Sequence, residues 1–237
     1  ELVEDICSTL SQAFDKVYTV TAGASIDGWP EGANYFFRLA TSWMERSSFP
    51  FFLWLEPDAI PLKSGWLDML LADYQRGQRP FMGDRVQVED IPLHMSGVGF
   101  YPNPLHAFAG EAYRAYDTAW DMAGKDQIVP KAYFTKLIEH AWKHPKFTDQ
   151  SELTTQIRPE CVLFHSSKDG SLIDLLRGAG QGPVTERHQT MAVQTADINP
   201  VPMVASHPID NTNGATPSSH PSCVIFIRTY PRDYQWL

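Results

Sequence analysis

Glu56, Pro57 and Asp58 follow directly on the apolar run FFLWL (51–55). A strand made for burial that ends in two carboxylates aims both of them at whatever lies beyond its carboxyl end. In open parallel sheets that is where ligands collect. Pro57 keeps Glu56 extended and stiffens the segment, so the two acidic groups can share one site while the ring packs elsewhere. Oxygen ligands of this kind suit a hard cation such as Mg2+ or Mn2+, most usefully one that also holds a diphosphate. A pair of solvated turn residues would have the same three letters, so the surrounding elements carry the argument.

Residues 1–15 place Leu2, Ile6, Leu10 and Phe14 at spacing four, the pattern of a helix with one buried stripe. KVYTVTA (16–22) reads as a strand, GASIDGWPEG as a turn region, and ANYFFRLATSWMER as a second helix with Tyr35, Leu39 and Trp43 on one side. After FFLWL, Ser64 is placed to cap a helix over about 65–76. RPFMGD (79–84) and HMSGVGFYP (94–102) read as strands, GEAYRAYDTAWDMAG (110–124) and KAYFTKLIEHAWKH (131–144) as helices, and ECVLFHSS (160–167) as a strand. Strands alternating with helices, several apolar on both faces, predict an α/β fold with a mainly parallel sheet covered on both sides. The helical KDGSLIDLLRGAG is followed by a Pro, Gly, Ser, Thr and Asn-rich stretch without period, so 179–222 is read as a flexible linker and 223–237, CVIFIRTYPRDYQWL, as a strand and turn beyond it.

The 237 residues suffice for one domain with a real core, and an apolar share of 43 % with no run of membrane-spanning length predicts a soluble protein. A net charge of −9 speaks against a broad nucleic-acid footprint, although a local basic groove stays open. Cys7, Cys161 and Cys223 have no metal-ligand spacing and fit reduced thiols in a cytoplasmic protein. The chain opens on Glu with no visible signal peptide. Phosphate-loop, GxGxxG and GxSxG patterns are missing from strand ends. His140 and His144 share a predicted helix face, without the Glu and third ligand of a protease site.

EPDAIPLKSGWL (56–67) resembles the acidic segment of GT-A nucleotide-sugar glycosyltransferases in a variant form. GWPEGAN (28–34), HMSGVGFYP (94–102) and VLFHSSKDGSL (162–172) resemble that family's other recurrent blocks, in the expected order, over roughly residues 16–175. Within the family the chain is most similar to the glycosyltransferases associated with TET/JBP-type oxygenases, which include the base J glucosyltransferase and phage enzymes. The resemblance implies a GT-A-like domain over 1–178. Asp58 with Glu56 would hold a metal that bridges the donor diphosphate, and His165 matches a late metal- or phosphate-binding His. Lys168 would neutralise diphosphate charge, with Gly170 and Ser171 offering backbone N–H groups at a helix start. Gly32 and Asn34 would approach the nucleotide, and Gly97 and Gly99 would leave room for sugar or acceptor, although a close-packed strand pair also accounts for the last two.

A GT-A domain normally opens with the nucleotide-cradling strand, and a helix stands there instead. The segment 223–237 can supply that strand by permutation, with Thr229, Tyr230 and Asp233 then at the nucleotide, or can open a second domain. An inverting transfer needs a carboxylate base, for which Asp117, Asp121 and Asp149 are candidates. The expected activity is metal-dependent transfer of a sugar, UDP-linked by resemblance, to a hydroxyl, with hydroxymethylpyrimidine in DNA as the implied acceptor and bacteriophage DNA modification in the host cytoplasm as the setting. The run Lys131, Lys136, His140, Lys143 and Lys146 would offer a backbone-binding face for such DNA. A non-DNA acceptor, a non-catalytic nucleotide-sugar binding domain and a pyrophosphorylase-type nucleotidyltransferase are the competing readings, the last without its early Gly-rich basic loop.

Overall fold

The structure is a computed structural model that describes residues 8, 29–88, 90–114, 117–143, 145–166, 168–179 and 224–227. All of these except Ser8 belong to one compact unit, Ile26–Gln181 with His220–Leu237. Apart from Ser8, the predicted helix 1–15, the strand 16–22, the linker after residue 179 and the segment 228–237 lie outside the described residues.

The unit is α/β with two mixed sheets flanked by helices. Helix α1 (Glu31–Met44) leads into β1 (Phe51–Leu55), a turn, β2 (Ala59–Pro61) and helix α2 (Trp66–Gly77). Strands β3 (Phe81–Val88) and β4 (Ile91–Pro102) form a long hairpin. Short helices α3 (His106–Ala109), α4 (Trp120–Ala123) and α5 (Lys125–Ile128) follow. Then come β5 (Ala132–Phe134), β6 (Ile138–His140), α6 (Gln150–Gln156), β7 (Leu163–His165), α7 (Ser171–Ala179) and β8 (Val224–Ile227). One sheet has the order β5-β3-β4-β1-β8 and the other β2-β7-β6.

The mainly parallel sheet expected from the sequence is corrected here. β4 runs antiparallel to both β1 and β3, while β1–β8, β3–β5 and β6–β7 are parallel and β2–β7 is antiparallel. Burial on both faces is what a covered sheet demands, whatever the direction of its strands. β1 illustrates it: Phe52 and Trp54 enter one core with Phe37 of α1, while Leu53 and Leu55 enter a second core with Leu70 of α2. In the first, Phe37 stacks on Trp120 with centroids 3.5 Å apart and meets Trp54 edge-on at 5.3 Å. Each such buried ring contributes on the order of 2–3 kcal/mol, enough to fix β1 against both layers.

The predicted helix 131–144 is, in its described residues, two short strands, β5 and β6, so His140 lies on a strand and not on the expected helix, and His144 lies outside the described residues. The helical spacing of Phe134, Leu137 and Ile138 loses to pairing: β5 takes backbone partners from β3, and β6 takes them from β7. The predicted helix 110–124 is a 3-10 turn at Ala112–Arg114 and the single turn α4. Ser64 does not cap α2. Gly65 stands there with φ +69, a left-handed conformation that suits glycine. Among the described residues no helix is long and apolar enough to cross a membrane.

Candidate metal centre

The chain reverses tightly after β1, with Ala59 N donating to Glu56 O at 2.9 Å, so Glu56, Pro57 and Asp58 form the bend between the two sheets. β2 then pairs with β7 so that Ala59 stands opposite His165. That register brings His165 to Asp58. Its Nε2 lies 3.1 Å from Asp58 Oδ1 and 3.3 Å from Glu56 Oε2. One ligand atom from each of the three lies within 4.8 Å of the others, the one such group among the described residues.

His165 is buried and the two carboxylates are half-buried. Burial disfavours the imidazolium, but the charges and hydrogen bonds of Asp58 and Glu56 outweigh it and push His165 up to about 10. Burial likewise opposes ionisation of Asp58, and His165, with help from Lys168, more than reverses it, so this carboxyl is held well below the usual range. Asp58 Oδ2 is buried with no hydrogen-bond partner. Two carboxylates and an imidazole, one acceptor atom orphaned, fit a divalent cation in chemistry and spacing. Ser166, next to His165, is buried with φ +109, a conformation rare for a residue with a side chain; such strain concentrates at functional sites.

Three further side chains surround the triad. Parallel pairing of β6 and β7 sets His140 in register with His165, and their rings lie 4.8 Å apart. Burial and the neighbouring His165 push His140 down to about 3, so it is a neutral imidazole. His94, buried on β4, has Nδ1 2.9 Å from Pro92 O; the carbonyl only accepts, so the ring proton sits on Nδ1. Burial and the charge of Glu56 raise Asp121 against the opposing His94, to about 6. Sequence reasoning missed His94 and Ser166, and it placed His140 on a helix beside His144 instead of at this site. His140 is separated from the triad in sequence and meets it through the register of β6 and β7; His94 acts on Asp121 and His140.

Among the candidate bases, Asp121 lies within electrostatic reach of the triad. Asp117 is exposed. Asp149 is committed to the N-terminus of α6, accepting from Ser151 N at 2.8 Å in a capping box with Glu152. Gly97 faces the centre: a Cβ there would meet Glu56 Oε1 at 2.8 Å and Trp120 Cζ2 at 3.6 Å. Gly99 instead packs on the Met82 carbonyl and Gly83 of β3, so a strand pair and not an acceptor fills its space.

The other expected binding residues are largely engaged by the fold. Gly32 and Asn34 lie in the first turn of α1, and buried Asn34 donates to Thr118 O and accepts from Trp120 N, each at 2.8 Å. Its amide fastens the segment that carries Asp121. Ser171 N donates to Asp169 Oδ1 at 3.1 Å, and Ser171 Oγ accepts from Phe147 N at 2.9 Å, so the expected phosphate-binding amide at α7 has an internal partner. Gly170 supplies φ +77 for that turn. Lys168 is exposed and its charge acts on Asp58. The lysine run does not share one face: Lys131 bonds Phe108 O, and Lys136, Lys143 and Lys146 are exposed on different segments. Thr229, Tyr230 and Asp233 lie outside the described residues, as do Cys7 and Cys223, while Cys161 is a free, buried thiol pushed up to about 12 by burial.

A salt-bridged frame holds β6 in place. Buried Asp84 accepts from His140 N at 2.7 Å and from Arg158 Nη2 at 2.9 Å, and Arg158 N donates to Glu139 Oε2 at 2.7 Å. Compared with protein-family models, with curated proteins and with solved structures, the chain matches none.

Proposed function

We propose that the chain is a metal-dependent glycosyltransferase that moves a sugar from a nucleoside diphosphate sugar to a hydroxyl acceptor. The observation that carries the reading is the convergence of Glu56, Asp58 and His165 at one point where two sheets meet. Such a set would hold a divalent ion whose charge favours departure of the diphosphate. Exposed Lys168 adds a cation on the same side. The acceptor hydroxyl attacks the anomeric carbon as its bond to the diphosphate breaks, and Asp121, with a carboxyl held near 6, takes the proton released. Resemblance to the oxygenase-associated enzymes makes a hydroxymethylated pyrimidine in DNA the first acceptor to offer, with the base reached by flipping.

The test is incubation with a panel of UDP-sugars, Mn2+ and DNA containing hydroxymethylcytosine, followed by base mass. A hexose or pentose increment that disappears with Asp58→Ala supports the reading. Unmodified base with every donor, alongside sugar transfer to a small hydroxyl acceptor or to water, removes DNA and keeps the transferase. Donor binding without any turnover leaves a nucleotide-sugar binding domain.

A further inference from the structure

We propose that His140 is the fourth protein ligand of the metal centre and makes the site selective for an imidazole-preferring transition ion over Mg2+. The inference rests on the metal-centre reading above and not on the identity of the sugar or acceptor. Both ring nitrogens of His140, Nδ1 and Nε2, are buried and neither has a hydrogen-bond partner. A buried imidazole normally directs at least one nitrogen to a partner, because an orphaned polar atom has lost water without compensation. Here the ring is held beside the triad by its backbone: His140 pairs with His165 in parallel register, and Asp84 Oδ2 fixes its N–H at 2.7 Å. Side chains at matched positions of neighbouring strands share a face, which sets the His140 ring beside that of His165, centroids 4.8 Å apart. In the structure His140 stands outside the set whose atoms lie within 4.8 Å, and a turn of its side chain is what recruitment requires.

The chemistry of the enlarged set differs from that of a carboxylate pair. Glu56 and Asp58 alone suit Mg2+, Ca2+ or Mn2+, whereas two imidazoles and two carboxylates favour Mn2+, Fe2+, Co2+ or Zn2+. Mg2+ prefers near-octahedral oxygen coordination with retained waters, which a second imidazole opposes. A strained Ser166 between His165 and the following turn is consistent with a strand end set for ligand geometry.

The experiment uses the full chain, freed of metal by chelation, and the metal alone. Co2+ is titrated in while its visible absorption is recorded, for wild type, His140→Ala and His140→Gln, with Mg2+ as competitor and far-UV circular dichroism as the fold control. The expected result is Co2+ binding weakened by about 100-fold in both variants, a changed spectrum, and wild-type binding that a large Mg2+ excess leaves in place. Wild type loaded with 113Cd should also show coupling to a His140 ring nitrogen, a readout that needs no variant. Unchanged affinity and spectrum in the variants, with no 113Cd coupling, overturns the fourth ligand and leaves the triad standing. Absence of Co2+ binding by wild type overturns the triad as well.

Discussion

Asp58 Oδ1 and His165 Nε2 lie 3.1 Å apart, an ion pair between the turn after β1 and the end of β7, made by two of the three side chains that could hold a cation. A proton on His165 and a metal ion would therefore compete for the same carboxylates.

The sign of the pH dependence follows. His165 titrates near 10 in the folded chain against 6.5 unfolded, so its contribution to stability is complete below about 6.5 and is lost as pH rises through 10. Metal-free protein should lose stability over that window by up to about 1.4 kcal/mol per pH unit, read from urea midpoints. Metal binding needs the neutral ring, so metal affinity should instead rise over the same range, with about one proton released per ion in weakly buffered calorimetry. A flat stability profile between pH 6.5 and 10 would show that the pair does not form.

Gly97 and Gly99 separate a site effect from a fold effect. At Gly97 a methyl group meets the far end of Glu56 at 2.8 Å, which can swing away. Gly97→Ala should cost about 1 kcal/mol of stability yet weaken metal binding about tenfold or more, the scale of a disturbed ligand. At Gly99 the methyl group meets β3 backbone that cannot yield, and Gly99→Ala should cost more than about 3 kcal/mol, with little soluble protein. Thermal unfolding and Co2+ titration of the two variants check both halves.

The contrast between these glycines shows how far the sequence reaches. FFLWL is legible because a strand buried on both faces has no polar option, and the charged residues after it must then sit at its end. His165 is legible for the same reason, at the end of VLF. Strand direction is not, because β4 is buried on both faces and still runs antiparallel to its neighbours. Residues 131–144 mislead because a helical spacing of apolar residues is also satisfied by β5 and β6, which turn at Thr135 between partners from β3 and β7. His94 carries no sequence signal, and the spacing of His140 from His144 points to a helix that does not form. The place of His140 depends on register between distant strands, which local pattern does not encode.

Asp84 tests the frame behind His140. Its carboxylate holds Arg158 and the His140 backbone while buried, and burial itself raises its titration. Asp84→Ala leaves the His140 N–H without its acceptor and removes one partner of Arg158, whose guanidinium keeps Ile138 O and Glu139, and should cost about 1–3 kcal/mol in urea unfolding. Replacing Asp84 and Arg158 together by apolar residues should recover part of the loss. Equal losses in the single and double variants would mean that the pair is not coupled.

Asn34 is the residue whose role the structure moves furthest from expectation, from nucleotide contact to internal clamp. Its amide joins Thr118 O and Trp120 N at 2.8 Å each, immediately before Asp121. Asn34→Ala orphans two backbone groups, one of them buried, and should cost about 2–4 kcal/mol, at roughly 1–3 kcal/mol for each. Asn34→Asp keeps the acceptor for Trp120 N and should cost less. Because the clamp sets Asp121 and not the triad, both variants should retain Co2+ affinity within about threefold while transfer falls by about tenfold or more, the order that loss of a positioned base produces. Equal loss of metal affinity and transfer would place Asn34 at the metal centre instead, and undisturbed transfer would remove Asp121 from the reaction.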